Sequence, residues 1–102
     1  MRFLVVDDEV GIREGCRRAL TSRGFEVEVA ENGPAGLHKL RQGSFDVLLV
    51  DAMMPGMSGR QLVETLRARG RNLPVLFMSG YTDDAVMRHG VIEADEHFVQ
   101  KP

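Results

Sequence analysis

Four short stretches of this chain end in residues that can do chemistry. LVVDDE sets Asp7, Asp8 and Glu9 behind an apolar run, LLVD sets Asp51 behind a second, VLFMS sets Ser79 behind a third, and FVQKP sets Lys101 and Pro102 behind a fourth. If the first two runs lie side by side as strands, Asp7, Asp8 and Asp51 meet, and three carboxylates in one place repel unless a counter-charge arrives. A divalent cation together with Lys101 supplies it. The donors are hard oxygens and few, which suits Mg2+, an ion that keeps several waters and is commonly held by one or two carboxylates plus a phosphate; Mn2+ is an acceptable substitute. A carboxylate, a Mg2+, a lysine and a hydroxyl around one point form a phosphoryl-transfer site. Asp51 would attack phosphorus while the metal and Lys101 stabilise the equatorial oxygens. Singly, acids such as Asp8 and Glu9 commonly serve the positive end of a following helix; convergence at four strand ends is what favours chemistry over capping.

Positioning these residues takes a parallel sheet. Strands are predicted over 2–6 (RFLVV), 25–29 (FEVEV), 46–50 (DVLLV), 73–77 (LPVLF) and 96–99 (EHFV), alternating with segments of helical period. The first, third and fourth are nearly continuous apolar runs, as in strands buried on both faces, whereas FEVEV alternates and belongs at an edge. Ile12, Cys16, Ala19 and Leu20 form the apolar stripe of a first helix ending near residues 22–24, with Cys16 a small core residue. A second helix starts at Asn32-Gly33-Pro34 and turns Leu37 and Leu40 inward. The third opens on the capping box Ser58-x-x-Gln61 and buries Leu62 with Leu66 or Val63. A fourth, weaker one is predicted from Thr82-Asp83-Asp84 to Gly90. In open parallel sheets ligands bind beyond the carboxyl ends of the strands, where the acids, the serine and the lysine fall.

Composition narrows the function classes. The 102 residues, 43% hydrophobic, suffice for one core and one domain over 1–102. Thirteen Lys+Arg against fifteen Asp+Glu leave a net charge of −2, which provides no basic field for nucleic acid or anionic lipid. Neither partner is expected for this segment. The single cysteine forms no internal disulfide, and the first apolar run is too short for a signal peptide or membrane span, so the expected location is cytoplasmic.

LVVDDE, LLVDAMMPGMSG, VLFMSGY and FVQKP, in that order and at those spacings, resemble the receiver domain of two-component response regulators over nearly the whole chain. The resemblance implies a flavodoxin-like, doubly wound parallel sheet of five strands in the order 2-1-3-4-5, within three α/β/α layers. It implies that Asp51 is the phosphoacceptor, served by a histidine of a sensor histidine kinase or a histidine phosphotransfer protein, and that the only catalysis is on the domain itself. Asp8, Asp51 and the backbone carbonyl of Met53 match the Mg2+ ligands, with Asp7 a ligand through water. Lys101 matches the lysine that meets the phosphoryl oxygens, and its bond to Pro102 is commonly cis in the family. Ser79 and Phe98 match the switch pair: the hydroxyl moves toward the phosphoryl group and the aromatic ring turns inward behind it, which changes the β4-α4-β5 face. The α4-β5 region is open to homodimer formation. The SGY and FVQKP wording resembles receiver segments attached to hybrid sensor histidine kinases, and stand-alone regulators use similar strings.

Two other classes compete. A Mg-dependent phosphatase or hydrolase of related α/β fold also uses a nucleophilic aspartate, but such enzymes carry a second acid two residues on, where this chain has Met53. A flavin-binding electron carrier needs a hydroxyl-rich phosphate loop after the first strand, and Asp7-Asp8-Glu9 would repel a phosphate there. Methionines of the 53–59 loop are expected to pack a tight turn in which Gly56 and Gly59 supply unusual backbone angles, rather than to bind a soft metal. Met53 and Tyr81 flank the path of attacking water in the family and are expected to slow dephosphorylation. His38, His89 and His97 are scattered and expected at the surface. Receiver domains normally continue past the Lys-Pro step into a fifth helix, so this chain is expected to be truncated before it, with lower stability or self-association as the result.

Overall fold

Each predicted strand and three of the helices form where apolar runs and caps place them. A computed structural model describes residues 1–51, 54, 56–70, 73–79 and 98–100, with only the backbone described at 79 and 98–100. The order is β1 (Arg2–Val6), α1 (Val10–Thr21), β2 (Glu26–Ala30), α2 (Gly33–Gln42), β3 (Val47–Asp51), α3 (Gly59–Ala68), β4 (Val75–Ser79) and β5 (Phe98–Gln100). The strands make one parallel sheet in the order β2-β1-β3-β4-β5. The expected fourth helix lies outside the described residues. Among the described residues no helix is long and apolar enough to cross a membrane.

Strand limits differ from expectation by one or two residues, for local reasons. Pro74 has no N–H to give to a ladder, so β4 starts at Val75, although the Pro74 carbonyl still accepts from Leu48 N–H at 2.9 Å. β3 reaches one residue further than its apolar run because Asp51 is paired with Met78. In β2 only Ala30 is buried, as an edge strand requires.

Side chains alternate between the two faces of a strand. Leu4 and Val6 of β1, Leu48 and Val50 of β3 and Phe77 of β4 share one core with Leu37 and Leu40 of α2 and Leu62, Val63 and Leu66 of α3. Removing each such side chain from water contributes roughly 1.5–3 kcal/mol. Val5, Asp7, Asp51 and Met78 belong to the alternate set, on the side of α1, where Cys16 Sγ lies 3.8 Å from Met78 Sδ. Cys16 is half-buried rather than sealed in the core, and α1 has no fully buried residue.

The caps hold as read. Asn32 Oδ1 accepts from Ala35 N–H at 2.8 Å, and Ser58 and Gln61 form a reciprocal capping box. Gly56 has φ 83°, in the left-handed region that favours glycine. Gly59 does not; it is the buried first residue of α3. The loop before α3 is pressed against α2: a Cβ built on Gly33 would lie 2.4 Å from Met57 Sδ. Met54 and Met57 pack on the core, so these two thioethers are packing groups as expected, and Met53 lies outside the described residues.

Candidate functional site

The register of the sheet brings the acids together. Val6 is paired with Val50, so Asp7, one step beyond β1, lies beside Asp51 at the end of β3. Asp7 N–H continues the β1–β2 ladder with a 3.1 Å bond to the Ala30 carbonyl. Asp7, Asp8 and Asp51 each offer a carboxylate oxygen within 4.8 Å of the others. Asp7 is 0% and Asp51 2% exposed, while Asp8 is open to solvent. The cluster therefore has a buried floor and one accessible side.

Local bonds shape the loop that carries two of the three acids. Asp7 Oδ1 accepts from Glu9 N–H at 2.9 Å, which folds the chain back over the strand end. Glu9 occupies the N-cap position of α1 with extended backbone, yet its side chain makes no capping bond. Its place at the helix N-terminus still suits the positive end of the dipole, so the electrostatic reading of this acid stands without a capping bond. Arg13, the fourth residue of α1, donates from Nη1 to the main-chain carbonyl of Asp7 at 2.8 Å. Sequence reasoning passed over Arg13. A signal was available: a cation in the opening turns of a helix opposes the helix dipole and calls for a local acceptor.

At an effective dielectric of about 20, two like charges near 4.8 Å oppose each other by on the order of 3–4 kcal/mol. Three clustered carboxylates thus need a counter-charge, and a donor set made only of carboxylate oxygens fits a small hard cation. A thiolate or imidazole donor, which a softer metal prefers, is not among the three.

Other expected site residues are placed less completely. The Ser79 backbone follows Met78, the partner of Asp51, so the hydroxyl-bearing residue stands one step beyond the acid on the neighbouring strand. Phe98 is paired with Phe77. The side chains of Ser79 and Phe98, together with Met53, Tyr81, His89, His97, Lys101 and Pro102, lie outside the described residues. His38 is at the surface, as expected.

Residues 3–102 match the family described as the response regulator receiver domain. The response regulator MprA of Mycobacterium avium is 33% identical over all of this chain, which spans 45% of that protein's length. Among solved structures, the response regulator TrrA of Thermotoga maritima, in complex with Mg(2+)-BeF, superposes with a TM-score of 0.82 at 30% identity, over 99% of this chain and 86% of that one. The receiver domain of the hybrid histidine kinase CckA gives 0.80 at 34% identity, over 100% of this chain and 86% of that one.

Proposed function

Because the chain belongs to the response regulator receiver domain family, we propose that it is a phosphorylation-driven switch in which Asp51 accepts a phosphoryl group from a histidine of a sensor kinase or phosphotransfer protein. The observation that carries this reading is the meeting of Asp7, Asp8 and Asp51 within 4.8 Å, with Asp51 2% exposed at the end of a central strand. A carboxylate oxygen of Asp51 forms the new O–P bond as the N–P bond of the donor phosphoimidazole breaks, and the imidazole leaves with the bonding pair. Asp8, Asp51 and the Met53 carbonyl would hold Mg2+, with Asp7 acting through a water. The ion's contribution when bound is to neutralise the carboxylates and stabilise charge on the transferring oxygens.

The chain's own residues do the rest. Burial of Asp7 and Asp51 holds one wall of the site fixed, and the exposed Asp8 leaves the other open to the donor. Lys101 would meet the phosphoryl oxygens. Ser79, following a strand residue paired with Asp51, would donate a hydrogen bond from its hydroxyl to the same group, and Phe98 would turn inward behind it, biasing the β4-α4-β5 face toward one of two packings. The domain acts on itself rather than on an external substrate, in the cytoplasm, and presents the altered face to a protein partner or a second copy. We take residues 1–102 as one receiver unit.

Incubation with Mg2+ and acetyl phosphate, followed by intact-mass measurement, tests this. One phosphoryl group is gained by the parent and none by Asp51→Asn. A folded, Mg2+-binding protein that gains no mass would refute the reading.

A further inference from the structure

Arg13 stands in α1, outside the acidic cluster, yet it bonds the peptide that joins two of the acids. The carbonyl to which it donates at 2.8 Å is that of the Asp7–Asp8 peptide bond. On the near side, Asp7 is held by its N–H to Ala30 at 3.1 Å and by its Oδ1 from Glu9 N–H at 2.9 Å. On the far side, Arg13 N–H returns to the Glu9 carbonyl at 3.1 Å, so the arginine is itself anchored to the end of the same loop. A peptide unit is planar, so holding its carbonyl fixes the position of the next Cα and leaves only rotation about N–Cα to aim the side chain. Asp8 is exposed, with no buried wall to place it. Its carboxylate nonetheless lies within 4.8 Å of the two buried ones, and the Asp7–Asp8 plane is the part of the backbone next to it that a side chain holds.

We infer that Arg13 is a positioning residue for the cation site: by fixing the Asp7–Asp8 carbonyl it presents the Asp8 carboxylate to the ion that Asp7 and Asp51 share. The inference rests on the Mg2+-dependent reading above and extends it to a residue outside the ligand set. Its sign is opposite to the one charge alone dictates. A guanidinium is always protonated, so as a point charge near three carboxylates it repels an incoming cation, and its removal should tighten binding. As an anchor of the loop, its removal should weaken binding. Outer partners of metal ligands commonly change affinity by 10- to 100-fold, and the lower end applies here because the bond is to a carbonyl.

Calorimetric titration with Mg2+ of the parent, Arg13→Met and Arg13→Lys decides between them, with metal-free melting recorded for each. Arg13→Met is expected to bind Mg2+ on the order of tenfold more weakly, and Arg13→Lys, which keeps one donor on a flexible stem, to recover part of the loss. Acetyl phosphate labelling should follow the same split: Arg13→Met needs more Mg2+ for half-maximal rate but reaches the parent rate at saturating Mg2+. A merely structural role would lower the melting temperature without moving the Mg2+ requirement of the folded protein. Unchanged or tighter Mg2+ binding by Arg13→Met, with the parent binding normally, overturns the inference alone. A folded parent that binds no Mg2+ overturns both this and the function proposed above. Should Arg13→Met melt below the assay temperature, Arg13→Leu is judged by the same two readouts, Mg2+ affinity and the Mg2+ needed for half-maximal labelling.

Discussion

The two ends of β1 solve opposite electrostatic problems. At its start, Arg2 is surrounded by matched partners: its N–H bonds Asp46 Oδ2 at 2.7 Å, its guanidinium bonds the Ser44 carbonyl at 3.0 Å, pairs with Glu28, lies 3.6 Å from Glu26, and sits 4.7 Å above the Phe45 ring. Lys39 adds a second cation to Glu28 at 3.4 Å. Just past the other end, Asp7, Asp8 and Asp51 bring charges of one sign within 4.8 Å. The lower end ties β1, β2 and the loop before β3 into the fold. The upper end gathers like charges, which under the proposed function is where a cation would bind. On that proposal, stability and function are separated by the length of one five-residue strand.

Asp51→Asn should show the contrast most strongly. Mg2+ at a hundred times its dissociation constant adds about 2.7 kcal/mol to a protein that binds it only when folded, which for a domain of this size raises the melting temperature by on the order of 10 °C. Calorimetry with and without Mg2+ should find that rise in the parent and lose nearly all of it in Asp51→Asn. Without metal, the variant should melt several degrees above the parent, because one buried like charge has gone. A metal-free variant less stable than the parent would break the comparison.

Arg2→Met is the counterpart below. Its loss should cost about 1–2 kcal/mol, discounted because the side chain is 36% exposed and its ion pairs are screened. The Mg2+-dependent rise in melting temperature should survive unchanged. Asn32→Ala tests whether nearness to the upper end matters by itself. Removing this cap of α2 should cost about 1 kcal/mol by denaturant titration and leave Mg2+ affinity as it was.

The smallest effect belongs to α1. The hydrogen bond from Arg17 holds the Glu14 carboxyl below the usual carboxylate range. A depressed carboxyl stabilises the fold above its ordinary pKa, and that contribution is lost as pH falls through the lowered value. Glu14→Gln should therefore melt slightly below the parent at pH 7 in low salt and together with it at pH 2.

Much of the fold was legible in the chain because its signals are local. Asn32 with Pro34, and Ser58 with Gln61, announce two helix starts within four residues each, and the apolar runs of β1, β3 and β4 mark strands covered on both sides. Errors came where a local signal had two physical readings. Gly59 suggested an unusual backbone angle and instead begins a helix, while Cys16 lies on the stripe of a helix that has no fully buried residue. Arg13 carries a signal in its charge near the start of α1, but its acceptor is a carbonyl, which every residue has, so no residue type names the partner.

The order of types along the chain by itself determined that acids end the first and third strands, since burial on both faces requires continuous apolar runs and leaves polar residues only at their ends. Tertiary structure alone decided that Asp7 and Asp51 stand side by side, through the pairing of Val6 with Val50. It alone decided that Arg2 meets Ser44, Phe45 and Asp46 more than forty residues away. The reason is physical: periodicity acts over one or two turns or a few strand residues, whereas register between distant strands is settled by packing of the whole sheet against its helices.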